Sequence, residues 1–283
     1  MIEIAQENLI LSDIAESGQC FRWKKEKNGF AIPAFGRLLH VRQNSGESGI
    51  LLDCTEEELE RCWYRYFDLG TDYSAIIHSV PEDDWYLQSA ARFGHGIRIL
   101  RQDPWETLIT FLLSQRKNIP AIRIAVEKLC KAAGTLISSE EDGDVYAFPS
   151  PEQLAGLNGK ELAECGLGYR AKYVEWTSHA FCEGRFSIGS MEELTDSELF
   201  DALCGFFGIG KKIALCTMLF GFHRMDAFPM DVWMNRIASR YYSGEIHAER
   251  YSPWAGIMQQ YMFFYERQNS GMHWNGTDSG VEG

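Results

Sequence analysis

A lysine in the first turn of a helix and an aspartate nineteen residues further on, Lys212 and Asp231, are the side chains best placed for covalent chemistry. Lys212 follows Gly208-Ile209-Gly210 and stands next to Lys211. On an open surface a lysine has a pKa near 10.4, so only about four molecules in ten thousand are neutral at pH 7. A neighbouring cation, the positive end of a helix and partial burial all disfavour the ammonium, which predicts a lysine that attacks as a free amine. A shift of ~3 units would take roughly 4 kcal/mol. Asp231, in AFPMDVWMNRIASRYY, stands just before a helix with an apolar face of Met234, Ile237, Ala238 and Tyr241. An N-cap there holds its carboxylate rigidly, and the 221–230 connection is short enough to return it towards Lys212. A carboxylate opposes loss of the ammonium proton, so its work must be another: steadying positive charge on a sugar as a bond breaks.

Residues 196–223 read as helix, glycine hairpin, helix, with Leu199, Leu203 and Phe206 on the first face and Ile213, Cys216, Thr217 and Phe220 on the second. Gly208 and Gly210 permit positive φ and a close approach of backbone to ligand. The free N–H groups of the second helix, beside Lys211, then make an anion seat that fits a DNA phosphate. An ordinary αα-hairpin that turns on glycines is the plainer alternative. A weaker echo, GLGYRAK (166–172), puts Tyr169 and Arg170 at a second glycine turn. Cys216 is four residues beyond Lys212, and Phe263 is four beyond Gln259, so each pair shares a helix face.

A sheet and a body of helices must position these groups. Runs at 20–23, 29–35, 37–43 and 50–53, separated by Gly, Asn and Ser turns, predict an antiparallel sheet. Thr55 and Glu58 form a capping box for a helix to Phe67, with Leu59, Cys62, Trp63 and Tyr66 on one face. Asp103, Pro104 and Glu106 start a helix through 102–115 that is apolar nearly all round and therefore central. RKNIP (116–120), with Arg116 and Asn118, is a basic turn before a helix carrying Ile122, Val126, Leu129 and Cys130. Residues 134–150 read as a surface loop, 150–157 and 159–168 as short helices, and 269–283 as a flexible tail. The expected fold class is α+β: an N-terminal antiparallel β-sheet domain with flanking helices (1–96), then a mostly α-helical body with the helix-hairpin-helix motif (97–268).

The chain has 283 residues, 45% hydrophobic and 24% charged, with a mean hydropathy of -0.25. That is ordinary globular composition, with no apolar run near the roughly 18 residues that span a bilayer. The first residues carry no export or transit signal, which predicts a cytoplasmic protein. Eight scattered cysteines, with no CxxC pair and no Cys/His cluster, predict reduced thiols without zinc or iron–sulfur. A net charge of -13 excludes a generally basic protein, so any DNA contact must be a local patch. Between 208 and 240, Lys211, Lys212, Arg224, Arg236 and Arg240 outnumber Asp226 and Asp231, which suggests a basic working edge.

LxxxxGIGKKIAxxxxxF followed by PMDVWxxRIA resembles the helix-hairpin-helix DNA glycosylases with a catalytic lysine. SGQCFRW (17–23), ILRQDPWETLITFLLSQ (99–115), GLGYRAKYV (166–174) and AGIMQQYMFF (255–264) extend the likeness to the 8-oxoguanine DNA glycosylases, over most of 9–266. The order of the motifs is more specific than any one of them. The resemblance implies a bifunctional enzyme that flips oxidised guanine out of a duplex, displaces it with Lys212 and cleaves the strand by β-elimination through a Schiff base. Asp231 matches the family's catalytic aspartate. Gly18 matches the backbone carbonyl that accepts from N7–H, which 8-oxoguanine has and guanine lacks. Gln259 matches the amide for the Watson–Crick edge, Phe263 the stacking ring and Cys216 the cover of the opposite base face.

By the same likeness Tyr169 is a wedge, Arg170 contacts the orphaned base, Asn118 lies near the intrahelical gap, and Gly208, Gly210 and Lys211 meet phosphate. Three positions depart from the animal enzymes: Arg116 replaces an asparagine, Ala121 an arginine that reads the opposite cytosine, and Trp233 a phosphate-contacting histidine. Loss of that arginine implies a relaxed opposite-base preference, since each good base-edge pair is worth ~1–3 kcal/mol. The implied partner is double-stranded DNA containing oxidised guanine, met by a monomer with no membrane contact, at the nucleoid if the source is bacterial. No soluble cofactor is implied, although a monovalent or divalent cation can sit on the hairpin carbonyls in this family. The other class of reading is a non-catalytic helix-hairpin-helix DNA-binding module in which Lys212 is one more cation. Glycosylases for alkylated bases or mismatched adenine fit less well. The adenine-mismatch and oxidised-pyrimidine branches usually carry four C-terminal cysteines for a cluster, and nothing after Cys216 supplies them.

Overall fold

The computed structural model describes residues 1–44 and 49–269. Strands β1 (Ile2–Ile4), β2 (Lys24–Glu26), β3 (Gly29–Ala34), β4 (Arg37–Gln43) and β5 (Ile50–Leu52) form one antiparallel sheet, in the order β1-β5-β4-β3-β2. The register pairs Phe30 with Val41, Ile32 with Leu39 and Val41 with Leu52, which puts the apolar side chains on one face. Ile32, Leu39, Val41 and Leu52 are buried there against Trp23, Trp63 and Phe67.

Residues 20–23 do not pair as the expected strand. Cys20 and Trp23 sink into the sheet core, Phe21 into the helical core, and Arg22 pairs with Glu127 at 2.9 Å. They anchor the segment to both cores. The strand that follows, β2, consists of three exposed charged residues. Charge on an edge strand prevents sheet-to-sheet association, yet it leaves no apolar alternation to read. The expected loop at 134–150 is likewise a hairpin, β6 (Leu136–Glu140) with β7 (Gly143–Tyr146). Its half-buried Ser138 and exposed Ser139, Glu140 and Asp144 hide the pattern in the same way.

The capping box at Thr55 forms as expected, but the helix beyond Glu58 passes through a π turn, Leu59–Trp63, before Tyr64–Tyr66. Trp63 and Tyr66 meet there edge to face, with ring centroids 5.6 Å apart. The central helix, Pro104–Ser114, is capped by Asp103, which accepts from the Glu106 N–H, and it is buried at Trp105 and from Thr107 to Leu113. Helices Ile119–Ala133 and Lys211–Phe220 pack on it. Helices Tyr73–His78 and Trp85–Phe93 also bury their apolar faces in this helical core. The expected tail lies outside the described residues, apart from Asn269, the end of the last helix, Ala255–Asn269.

Two polar side chains lock the sheet to the helices. The Gln19 amide donates to the Arg98 carbonyl at 2.8 Å and accepts from the Leu100 N–H at 2.8 Å, acting as a strand neighbour to that segment. Arg98 is fully buried, and its guanidinium donates to the carbonyls of Glu7, Asn8 and Asp68. Buried polar groups satisfied this completely resist local opening, because separation would strand them.

Candidate active site

The first hairpin helix, Asp196–Cys204, opens on a Thr195–Glu198 capping box. The second, Lys211–Phe220, begins at Gly210 with no side-chain cap, so its first N–H groups face outward as the anion seat requires. Of the two glycines only Gly208 is left-handed, at φ +89°. A β-carbon on Gly208 would lie 2.6 Å from the Tyr173 ring, so that ring packs directly on the turn. Gly210 is extended, at φ −101°, which corrects the expectation for that residue. Its use is the open space beside its α-carbon, where no atom lies within 4 Å.

Lys212 points into the protein. Its Nζ stands 5.5 Å from the Phe111 ring centroid and bonds the Cys216 sulfur one turn on. Asp231 caps helix Val232–Tyr241, its carboxylate accepting from the Met234 N–H at 2.9 Å. It lies near enough for its charge to act on the amine. Burial works against the Lys212 ammonium, but the Cys216 sulfur and the Asp231 carboxylate outweigh it, and the pKa is raised above its ordinary value. The expectation of a neutral resting amine is therefore overturned. The adjacent Lys211 that suggested it is exposed, whereas the anionic and aromatic partners surround the amine itself. Burial raises the pKa of Cys216 and of Asp231 as well.

Gly18 and Phe263, from opposite ends of the chain, pack against each other. Gly18 is left-handed at φ +80°, and a β-carbon on it would lie 3.3 Å from Phe263 Cε1. Gln19 holds that turn in place, and Phe21 continues to Phe111 in an edge-to-face contact at 5.7 Å, next to Lys212. Gln259 is buried on the same helix as Phe263, and its Oε1 accepts from Gln260 at 3.0 Å. That helix docks tightly: a β-carbon on Gly256 would lie 2.4 Å from Leu219 and 2.8 Å from the Ala227 carbonyl oxygen. The 221–230 connection is thus held against the helix of Gln259 and Phe263, where the Met225 carbonyl accepts from the Gly256 N–H at 2.7 Å.

The residues expected to face DNA divide. Tyr169 is 46% exposed, as a wedge requires, while Arg170 is only 7% exposed. The Arg170 guanidinium lies over the Tyr169 ring and donates to the Gln115 carbonyl through Nε, at 2.8 Å, and Nη2. Arg116 is exposed in a left-handed turn at φ +51°, and Asn118 caps the next helix through the Ala121 N–H. Trp233 is 8% exposed, with Arg236 over its ring, so its side chain is turned inward. The basic edge is narrower than composition suggests: Arg224 pairs with Asp196 and Arg240 with Glu266. The contacts of Phe111, Gln19, Gln115 and Tyr173 have no signal in the sequence, because each joins distant segments.

The first 108 residues match the family model "8-oxoguanine DNA glycosylase, N-terminal domain", and residues 109–251 match "HhH-GPD superfamily base excision DNA repair protein". An N-glycosylase/DNA lyase of Saccharomyces cerevisiae is 28% identical over 270 residues, 85% of this chain and 70% of its own. The Clostridium acetobutylicum 8-oxoguanine glycosylase/lyase, solved with double-stranded DNA containing cytosine opposite 8-oxoguanine, superposes with a TM-score of 0.86 at 33% identity. That match covers 95% of this chain and 98% of the other. Over residues 1–251, therefore, the chain belongs to the HhH-GPD superfamily of base excision DNA repair proteins, in the branch that carries the 8-oxoguanine DNA glycosylase N-terminal domain.

Proposed function

We propose that the chain excises 8-oxoguanine from duplex DNA and then cuts the abasic strand. The observation that carries this reading is Lys212 held between Asp231, Cys216 and Phe111, one aromatic contact away from the Gly18 turn. The flipped base enters between Cys216 and Phe263, where the Gly18 carbonyl accepts from its N7–H. As the C1′–N9 bond breaks, Asp231 steadies the sugar cation. The ammonium passes a proton to the departing base, and the freed Nζ bonds to C1′. Ring opening, with a proton passing from the nitrogen to O4′, gives the imine, through which loss of a C2′ proton breaks the C3′–O bond and expels the 3′-phosphate.

The sheet domain (1–96) supplies Gly18 to this site and the helical body (97–268) the rest. Ala121 offers no base-edge donor beside Asn118, which supports a relaxed opposite-base preference; a cytosine preference beyond ~100-fold would contradict it. No group of three His, Cys, Asp or Glu side chains that could hold a metal occurs among the described residues, so a hairpin cation would rest on backbone carbonyls. No helix among them is long and apolar enough to cross a membrane. We infer a cytoplasmic monomer, associated with the nucleoid if the source is bacterial.

The deciding experiment is borohydride trapping on an 8-oxoguanine duplex. The Lys212→Gln variant should bind the damaged duplex but release no base at a useful rate and form no trapped adduct. Equal activity in both proteins would favour a non-catalytic DNA-binding module.

A further inference from the structure

Residues 115–117, at the end of the central helix, touch both glycine turns. The Gln115 side-chain amide donates to the Gly208 carbonyl at 3.0 Å and to the Leu112 carbonyl at 3.2 Å, so both of its N–H groups are committed. The Gln115 main-chain carbonyl accepts from Arg170, and Lys117 Nζ donates to the Gly166 carbonyl at 2.9 Å. The next residue, Arg116, is held left-handed at φ +51°. Such a conformation costs a residue with a β-carbon ~1–2 kcal/mol and persists only where neighbouring contacts enforce it. One peptide thus joins the arginine on the opposite-strand side to the hairpin turn that precedes Lys212.

We propose that Gln115 is a positioning residue that couples reading of the orphaned base to the placement of the hairpin. Arg170 cannot reach a base edge without leaving the Gln115 carbonyl. Its departure unpins the strained 115–116 peptide, and the movement passes through the Gln115 amide to Gly208, whose turn is packed on Tyr173 and leads into the lysine helix. Contact with the orphaned base on one side of the cleft therefore sets the amine on the other. This rests on the reading of Arg170 as the residue that meets the orphaned base.

The test is a double-mutant cycle on full-length protein, using single-turnover excision of 8-oxoguanine opposite cytosine and opposite adenine. Gln115→Met keeps the length and packing of the side chain and removes its donors. It should slow excision opposite cytosine ~10-fold while changing affinity for the same duplex less than ~3-fold. In an Arg170→Ala background the same substitution should matter less than ~2-fold. Gln115→Asn, which withdraws the amide by one methylene, carries the same expectations if the methionine variant folds poorly. An equal effect of Gln115→Met with and without Arg170 overturns the coupling but leaves Arg170 as a base reader. Should Arg170→Ala leave the cytosine-to-adenine ratio unchanged, both readings are overturned.

Discussion

The ring edge of Phe263 lies against the α-carbon of Gly18, so close that a methyl group there would stand 3.3 Å from Cε1. The two residues come from opposite ends of the chain, and under the proposed function they form one wall of the base pocket. Gly18→Ala would add strain at φ +80° worth ~1–2 kcal/mol and push the ring into the pocket. Excision of 8-oxoguanine should fall at least ~10-fold, while cleavage of a preformed abasic site, which needs no base pocket, stays within ~3-fold. Single-turnover rates on the two duplexes check this.

Asp231→Asn separates the two tasks of that residue. Asparagine caps a helix as well as aspartate, so stability should change by less than ~0.5 kcal/mol in urea denaturation. Excision, which uses the charge, should drop ~100- to 1,000-fold. A variant that keeps the full excision rate would show that the carboxylate is only a cap.

The raised pKa of Lys212 gives trapping a definite pH dependence. Attack on a preformed abasic site needs the free amine, and far below its pKa that fraction grows about tenfold per pH unit. Borohydride-trapped adduct should therefore form faster at each step from pH 6.5 to 8.5. A flat profile would mean that the amine is already neutral.

Much of this arrangement is legible in the residues themselves. Thr55 with Glu58, Asp103 with Glu106 and the Gly208 turn announce their elements through local side-chain to backbone chemistry, and all three form. Strand β2 and the β6–β7 hairpin are hidden because exposed polar strands carry no hydrophobic period. The charge of Lys212 is misjudged from sequence for a different reason. Lys211 is its neighbour along the chain, whereas Phe111 and Asp231 become its neighbours only in space. Gln19 and Gln115 are invisible in the same sense, since nothing nearby in sequence reveals what their amides will hold.

Glu106 gives a stability test remote from the chemistry. Burial pushes its carboxyl up to about 7 against the pull of Arg22, whose Nη1 is 3.8 Å away. An acid with a folded pKa above its unfolded value binds its proton more tightly when folded, so stability falls as pH rises from about 4.5 through about 7. Glu106→Gln removes that titration. Relative to the parent, the variant should gain on the order of 1–3 kcal/mol between pH 5 and pH 8, measured by urea unfolding at both.

Gln19 acts as a strand neighbour to residues 98–100, and so fastens a turn from the amino-terminal sheet onto the framework of the helices. Under the proposed function, the carbonyl that would read the damaged base is thereby carried to the chemistry by a segment far in sequence from the helix of Lys212.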